Sequence, residues 1–302
     1  MRSKHLVLFL VLISLGLAFF IFKLLLEDSI TKGNLELPHR QLYNSWKRCM
    51  TAKTDAFIED RTEIWEDMEF AVRDCDLPFI DLLKLQDFTN GDETKRHIMP
   101  YHSSSSQTVV TIGIGHDTRA EEQLLLVAQK RNMSIQFYGA DPMAEINEQL
   151  YSKFGHFFPF AITAEPGTSM AYVLQEHYVN KIVIHLDPVY FLSKLIRKKV
   201  VDTLWLDAEW AEYSLFPFFK RGGLFDQNGI IICQMNIEIH EPDRKQLELA
   251  RSFFQQILYD ERYGFFAPVK GKHYRLFFVN FEDQECVEKY IPKDISNVKL
   301  SY

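Results

Sequence analysis

From Thr108 onward the chain alternates short apolar, β-rich runs with amphipathic stretches of helical length, and few folds accept that pattern. "TVVTIGIG" leads into the helical "RAEEQLLLVAQKR", and "SIQFYGADP" into "MAEINEQLYSKF". "HFFPFAIT" reads as a third strand and "KIVIHL" as a short additional one. "DTLWLD" precedes the helical "WAEYSLFPFFKRGG", and "GIIICQMNIEIH" precedes "DRKQLELARSFFQQILYD". "YGFFAPV" and "KHYRLFFVNFE" follow as an antiparallel pair. Strands separated by helices of about 10–15 residues form βαβ units. An α/β fold follows, with a mostly parallel sheet, helices on both faces and an antiparallel C-terminal pair.

Such sheets bind ligands outside the carboxyl ends of their strands. Gly113 and Gly115 follow the first strand, Asp141 ends the second, and Asp207 ends "DTLWLD", with Glu209 and Glu212 just behind it. The glycine turn lacks the full Gly-x-Gly-x-x-Gly and a phosphate-binding lysine, so neither a dinucleotide fingerprint nor a P-loop is present. A ligand without a pyrophosphate is the better match, and S-adenosylmethionine meets that description. Asp141 is placed to accept hydrogen bonds from both ribose hydroxyls. Gly113 and Gly115 would let the backbone approach the methionine portion. Asp207 would lie under the methionine amino group or beside the transferred methyl. Each has a plainer reading: turn glycines, a helix cap before Pro142 for Asp141, and a strand-end cap for Asp207. Glu209 and Glu212 have an alternative as ion-pair partners of a nearby Lys or Arg. The catalytic candidates are Asp207, Glu209 and His240. His240 ends "IEIH", where an imidazole titrating near neutrality suits a general base, and Glu238, two residues earlier on the same side, is placed to orient it. No metal is expected. His116, His156 and His185 are scattered and no His-x-x-x-His occurs, which leaves the Asp207/Glu209 pair as the one place for a cation.

The order "VVTIGIG", "FYGADP", "FPFAIT", "VDTLWLDAEWAEYSLF", "GIIICQMNIEIH" resembles the FkbM-type methyltransferase family over about residues 105 to 285. The family signature, a strand ending in Asp-x-Glu-Gly-x-Glu, matches Asp207, Glu209 and Glu212. The resemblance implies a Rossmann-like, S-adenosylmethionine-dependent methyltransferase domain acting on a hydroxyl of a small molecule or sugar. Thr111 stands where the family's first strand ends in an acid, and Trp210 stands at the signature glycine. The alternative is a catalytically degenerate binding or interaction protein on the same fold.

Ahead of this domain, "LVLFLVLISLGLAFFIFKLLL", Leu6 to Leu26, is 21 residues long and broken only by Lys23. About 20 apolar residues cross a bilayer as a helix. Arg2 and Lys4 precede the run and Glu27 and Asp28 follow it, so the positive-inside tendency predicts a signal anchor of type II orientation. The expected plan is a cytosolic tip and transmembrane helix over 1–26, a helical stem with accessory helices over 27–104, and the methyltransferase domain over 105–302, lumenal in the ER or Golgi. That setting makes a glycan or glycoconjugate the expected acceptor. It also permits disulfides. Of the four cysteines, Cys49 and Cys75 are the favoured pair, while Cys233 lies in an apolar strand and reads equally as a buried free thiol. Asn132-Met133-Ser134 is a glycosylation sequon. A formal net charge of −7 argues against a nucleic-acid partner.

Overall fold

The computed structural model describes residues 37–55, 63–102 and 106–294. The run Leu6–Leu26 lies outside them, and among the described residues no helix is long and apolar enough to cross a membrane. Helices α1 (Pro38–Thr54) and α2 (Glu63–Leu83) lead into a hairpin, β1 (Gln86–Thr89) and β2 (Thr94–His97). Then β3 (Ser106–Ile112), α3 (Arg119–Lys130), β4 (Ser134–Ala140), α4 (Ala144–Tyr151) and β5 (Gly155–Phe158) alternate as the apolar pattern predicts. Next come β6 (Ala161–Ile162), β7 (Gly167–Leu174), β8 (Tyr178–Leu186) and a helical turn α5 (Pro188–Tyr190). The remaining elements are β9 (Val200–Leu206), α6 (Glu212–Phe219), α7 (Leu224–Gln227), β10 (Ile231–Ile239), α8 (Arg244–Asp260), β11 (Tyr263–Lys270), β12 (Tyr274–Asn280) and α9 (Gln284–Tyr290).

Seven strands form the main sheet in the order β11-β12-β10-β9-β3-β4-β5. From β10 to β5 every pairing is parallel, and β12 runs antiparallel to both β10 and β11. This is the expected mixed, mostly parallel α/β sheet with an antiparallel C-terminal pair. Successive residues of a strand face opposite sides, and both sides are covered. Val109, Phe137 and Trp205 pack against Ala120, Leu124 and Ala128 of α3. On the other face Val110, Leu204 and Met235 join a core that includes Phe216, Phe253, and Trp46 and Phe79 from α1 and α2.

Register sets up the functional edge. Ile237 pairs with Leu206, Leu206 with Ile112, Ile112 with Ala140, and Ala140 with Phe158. β9, β3, β4 and β5 therefore end level, and the residues that follow the first three are Asp207, Gly113 and Asp141, while β10 runs on through Glu238 to Ile239.

Two hairpins depart from the sequence reading. The helical reading over 27–104 meets an exception at its C-terminal end, where β1 and β2 pair around Asn90-Gly91. Their partners beyond the hairpin are side chains. The Asn236 carboxamide accepts from the Arg96 N–H at 2.8 Å and donates to its carbonyl at 2.5 Å, and Gln234 does the same for Ile98 at 2.8 and 3.0 Å. "KIVIHL" forms the end of the nine-residue β8, which pairs with β7 in a second sheet, β6-β8-β7. The strand expected over "HFFPFAIT" is split into β5 and β6 around Pro159, which has no N–H to give to a ladder.

Disulfides join Cys49 to Cys75, linking α1 and α2, and Cys233 to Cys286, linking β10 and α9. The favoured pair is present, and Cys233 is bonded rather than free.

Candidate functional site

The glycine turn is built by three strand ends tied together. The Asp207 N–H donates to the Ile112 carbonyl at 2.9 Å, and the Gly113 N–H donates to the Ala140 carbonyl at 2.9 Å. Gly113 has φ 82°, and a Cβ there would lie 1.7 Å from the Asp207 carbonyl oxygen, so only glycine makes this crossing. Gly115, at φ 64°, has nothing within 4 Å of the equivalent position and borders open space.

Asp141 holds the turn from the other side. Its Oδ2 accepts from the Ile114 N–H at 2.9 Å and the Gly115 N–H at 3.4 Å, and its Oδ1 accepts from the Met143 N–H at 2.8 Å. The helix-cap reading does not describe it, because Met143 is the N-cap of α4. A carboxylate offers about four lone-pair sites, so three backbone donors leave capacity for a ligand in the cleft that Asp141 lines. Thr111 is fully buried, donating to Glu121 Oε1 at 2.9 Å and accepting from the Tyr151 hydroxyl at 3.2 Å. The departure at Thr111 is thus satisfied by a buried acid from α3.

At the acid end the backbone takes an unusual course. Glu209 and Trp210 have φ of 47° and 70°, in the left-handed region that disfavours residues with a Cβ. That conformation accounts for glycine in the family signature at the Trp210 position. The turn returns Glu212 beneath the end of β10, where it is fully buried. Glu212 Oε1 accepts from the His240 backbone N–H at 2.8 Å and lies 3.1 Å from ring Nδ1. The other nitrogen, Nε2, is 3.2 Å from Glu209 Oε2 and 3.6 Å from Asp207 Oδ1. Glu238 does not orient His240 as the sequence suggested. It pairs with Arg275 at 2.7 and 3.1 Å, and Glu212 orients the ring. The Lys or Arg partner expected for Glu209 and Glu212 is His240 instead.

Electrostatics follow from this clamp. Burial pulls His240 toward neutrality, but hydrogen bonds to Glu209 and Glu212 and the charges of Glu212 and Asp207 outweigh it and push the ring up to about 10. At neutral pH both ring nitrogens then carry protons, whereas a general base needs a free lone pair; the clamp does not suit His240 to that role. A third of the Asp207 side chain faces the cleft while its Oδ1 is enclosed without a hydrogen-bond donor. Burial and the charges of Glu238 and Glu93 push its carboxyl well above the usual range, against the pull of His240. Burial also works against the Glu209 charge, but hydrogen bonds from His240 and the Tyr178 hydroxyl hold that carboxyl below its ordinary value.

Residues from distant segments complete the site, and no local motif announced them. Glu93, on the β1–β2 hairpin, pairs with the buried Lys95 at 2.9 Å and brings a carboxylate near Asp207 and Glu238. His273, before β12, accepts from the Glu241 N–H at 3.1 Å; burial and the neighbouring His240 lower it to about 4. The Trp210 indole donates to the Glu241 carbonyl at 2.8 Å and packs 4.8 Å from His240, on the β10 side of the cleft. Tyr172 stacks on Tyr178 at 5.0 Å and meets Trp210 at 5.9 Å. Gly113, Gly115, Asp141, Asp207, Glu209 and Trp210 all border one cleft of about 440 Å³, walled on its far side by β7 and β8. That volume is in the range of small-molecule sites.

A parallel sheet with a ligand-sized cleft at its carboxyl edge defines a Rossmann-like α/β protein. The Methyltransferase FkbM domain matches residues 74–267, well over half of the chain, and the protein belongs to that methyltransferase family. It is 31% identical over 101 residues to an uncharacterized protein of Caenorhabditis elegans, a match that covers 33% of this chain and 35% of that protein. The aligned stretch thus spans about a third of the relative's length. Among solved structures, the human methyltransferase 10 domain containing protein is similar at 14% identity, covering 67% of this chain and 78% of that chain, with a TM-score of 0.33.

The two strand-end aspartates differ in a way that stability measurements will show. Asp141→Asn replaces one oxygen that accepts from a buried backbone N–H, and a buried donor left unpaired costs about 1–3 kcal/mol. Asp207→Asn removes a charge that burial and neighbouring acids oppose, and should leave the urea midpoint unchanged or raised. Equal losses in both variants would contradict this division of roles.

Proposed function

We propose that this protein is an S-adenosylmethionine-dependent O-methyltransferase whose acceptor is a hydroxyl of a lumenal glycan or glycoconjugate. The observation that carries the reading is the level ending of β4, β3 and β9 around one cleft, in a chain of the FkbM methyltransferase family. The residues present suit the donor. Gly113 and Gly115 keep side chains out of the turn, and Asp141 retains acceptor capacity for a vicinal diol. When bound, the donor supplies an electrophilic methyl group on a positively charged sulfur.

The chain's own groups then have separate tasks. Asp141 holds the turn in shape and accepts the ribose hydroxyls. Asp207 and Glu209 form the acid floor. Asp207, whose carboxyl holds a proton more readily than an ordinary carboxylate, is the one suited to take the proton of the acceptor hydroxyl, whereas Glu209 keeps its charge. His240 is committed on both ring nitrogens and fixes the positions of the two acids. Tyr172, Tyr178 and Trp210 form an aromatic wall suited to the apolar face of a sugar ring, and β7 and β8 shield the cleft from water. Positioning of this kind is the main protein contribution to an in-line transfer between two bound reactants.

The lumenal, type II placement is part of the same proposal. It is supported by the apolar run Leu6–Leu26, by two disulfides, which form in oxidising compartments, and by the exposed Asn132 in its sequon. An endoglycosidase should shift the mobility of the membrane-bound chain, and Asn132→Gln should abolish that shift. A C-terminus open to protease outside sealed microsomes would overturn the placement.

Isothermal titration of S-adenosylmethionine into the purified chain tests the activity class. Micromolar binding is expected, and Gly115→Leu should weaken it at least about tenfold, or about 1.4 kcal/mol, by filling the open space beside the turn. Absence of binding up to millimolar donor would favour a binding protein on the same fold.

A further inference from the structure

We infer that Asp207, Glu209 and His240 form a binding site for a divalent first-row metal ion at the β9–β10 end of the cleft. The inference that the ion binds does not depend on the enzymatic reading. What the ion does there, offering open positions to an acceptor hydroxyl, rests on that reading.

The donors are of the right type and spacing. One imidazole nitrogen, just past β10, and two carboxylate oxygens, from the loop after β9, lie within 4.8 Å of one another. Nitrogen and oxygen ligands sit about 2.0–2.2 Å from a zinc-like ion. Two ligands on such an ion are then roughly 2.8–3.6 Å apart across octahedral and tetrahedral arrangements. From Nε2, Glu209 Oε2 lies at 3.2 Å and Asp207 Oδ1 at 3.6 Å, close to that spacing before any adjustment.

The far side of the ring carries the second half of the pattern. A metal-bound histidine almost always gives its other N–H to a carboxylate or carbonyl, which fixes its tautomer and orientation. Glu212 is in that position, fully buried, and is itself fixed by the His240 backbone N–H. Nothing about a general acid–base histidine requires two further acids on the opposite nitrogen.

An independent observation separates an ion from a simple proton. The Nε2 proton can reach only one carboxylate well, and Glu209 is the nearer. Asp207 Oδ1 is left enclosed without a donor. Buried unpaired oxygens are costly, and the nearby cations are already taken. Lys95 pairs with Glu93 at 2.9 Å and Arg275 with Glu238 at 2.7 Å. A single ion in place of the Nε2 proton contacts both acids, with that proton released to solvent.

Donor chemistry narrows the metal. An imidazole with carboxylates suits zinc, manganese or iron better than magnesium or calcium, which take oxygen ligands. His273 and Glu238, whose ligand atoms also lie within 4.8 Å of one on His240, border the site. Asp207 and Glu209 line the cleft, so the open positions of the ion face the aromatic wall.

The test uses the full chain, stripped with a chelator and titrated with Mn²⁺ while the free-ion electron paramagnetic resonance signal is followed, with Zn²⁺ as competitor. One Mn²⁺ per chain is expected, displaced by Zn²⁺. Glu209→Gln and Asp207→Asn should each weaken binding at least tenfold while circular dichroism shows an unchanged fold. His240→Ala is the harsher variant and is read only if it folds. No binding at millimolar Mn²⁺, or binding that neither carboxylate substitution changes, would overturn the site. No methyl donor is present, so failure here is distinct from failure of the donor titration.

Discussion

The crossing of the chain at Gly113 over the carbonyl of Asp207 is the constraint from which the cleft derives. With a Cβ impossible at that point, β3 can end flush against β9, and the turn that follows opens toward the ligand space. Asp141 then closes the arrangement by accepting from the turn's amides. The proposed donor pocket and the acid floor thereby share one wall of backbone. A shift of either strand end by a residue would separate the glycine turn from Asp207, because register places both one step beyond the same paired row.

A second constraint lies just beyond it. Glu209 and Trp210 are held at positive φ, and such conformations persist only when the surroundings fix them. Here the surroundings are the indole's hydrogen bond to Glu241, its packing on His240, and the fully buried Glu212 one turn later. The same few residues thus place two acids in the cleft and anchor one beneath the histidine. Like charges gather there because His240, Lys95 and Arg275 are interleaved with them.

Sequence alone exposed the parts governed by local pattern. The β9 and β10 strands were legible because central parallel strands are apolar on both faces, and their ends located Asp207, Glu209 and His240. The Cys49–Cys75 pair was also within reach. The β7–β8 hairpin was not, since Thr168, Ser169 and the exposed Met170 show no buried face. The β1–β2 hairpin escaped notice because its partners beyond itself are the carboxamides of Gln234 and Asn236, not another strand. Spacing along β10 suggested Glu238 as the partner of His240, but Arg275, 37 residues away, takes that acid, and a left-handed turn delivers Glu212 instead. Glu93 and His273 come from opposite ends of the domain, where only tertiary structure brings them together.

Amide hydrogen exchange with and without saturating S-adenosylmethionine tests the central claim most directly, because it reports where the donor sits. Slower exchange confined to residues 112–117, 140–143 and 207–211 is expected, with α1 and α9 unchanged. Unaltered exchange at the glycine turn and around Asp141 while the donor is bound would contradict the placement of the donor at this edge of the sheet.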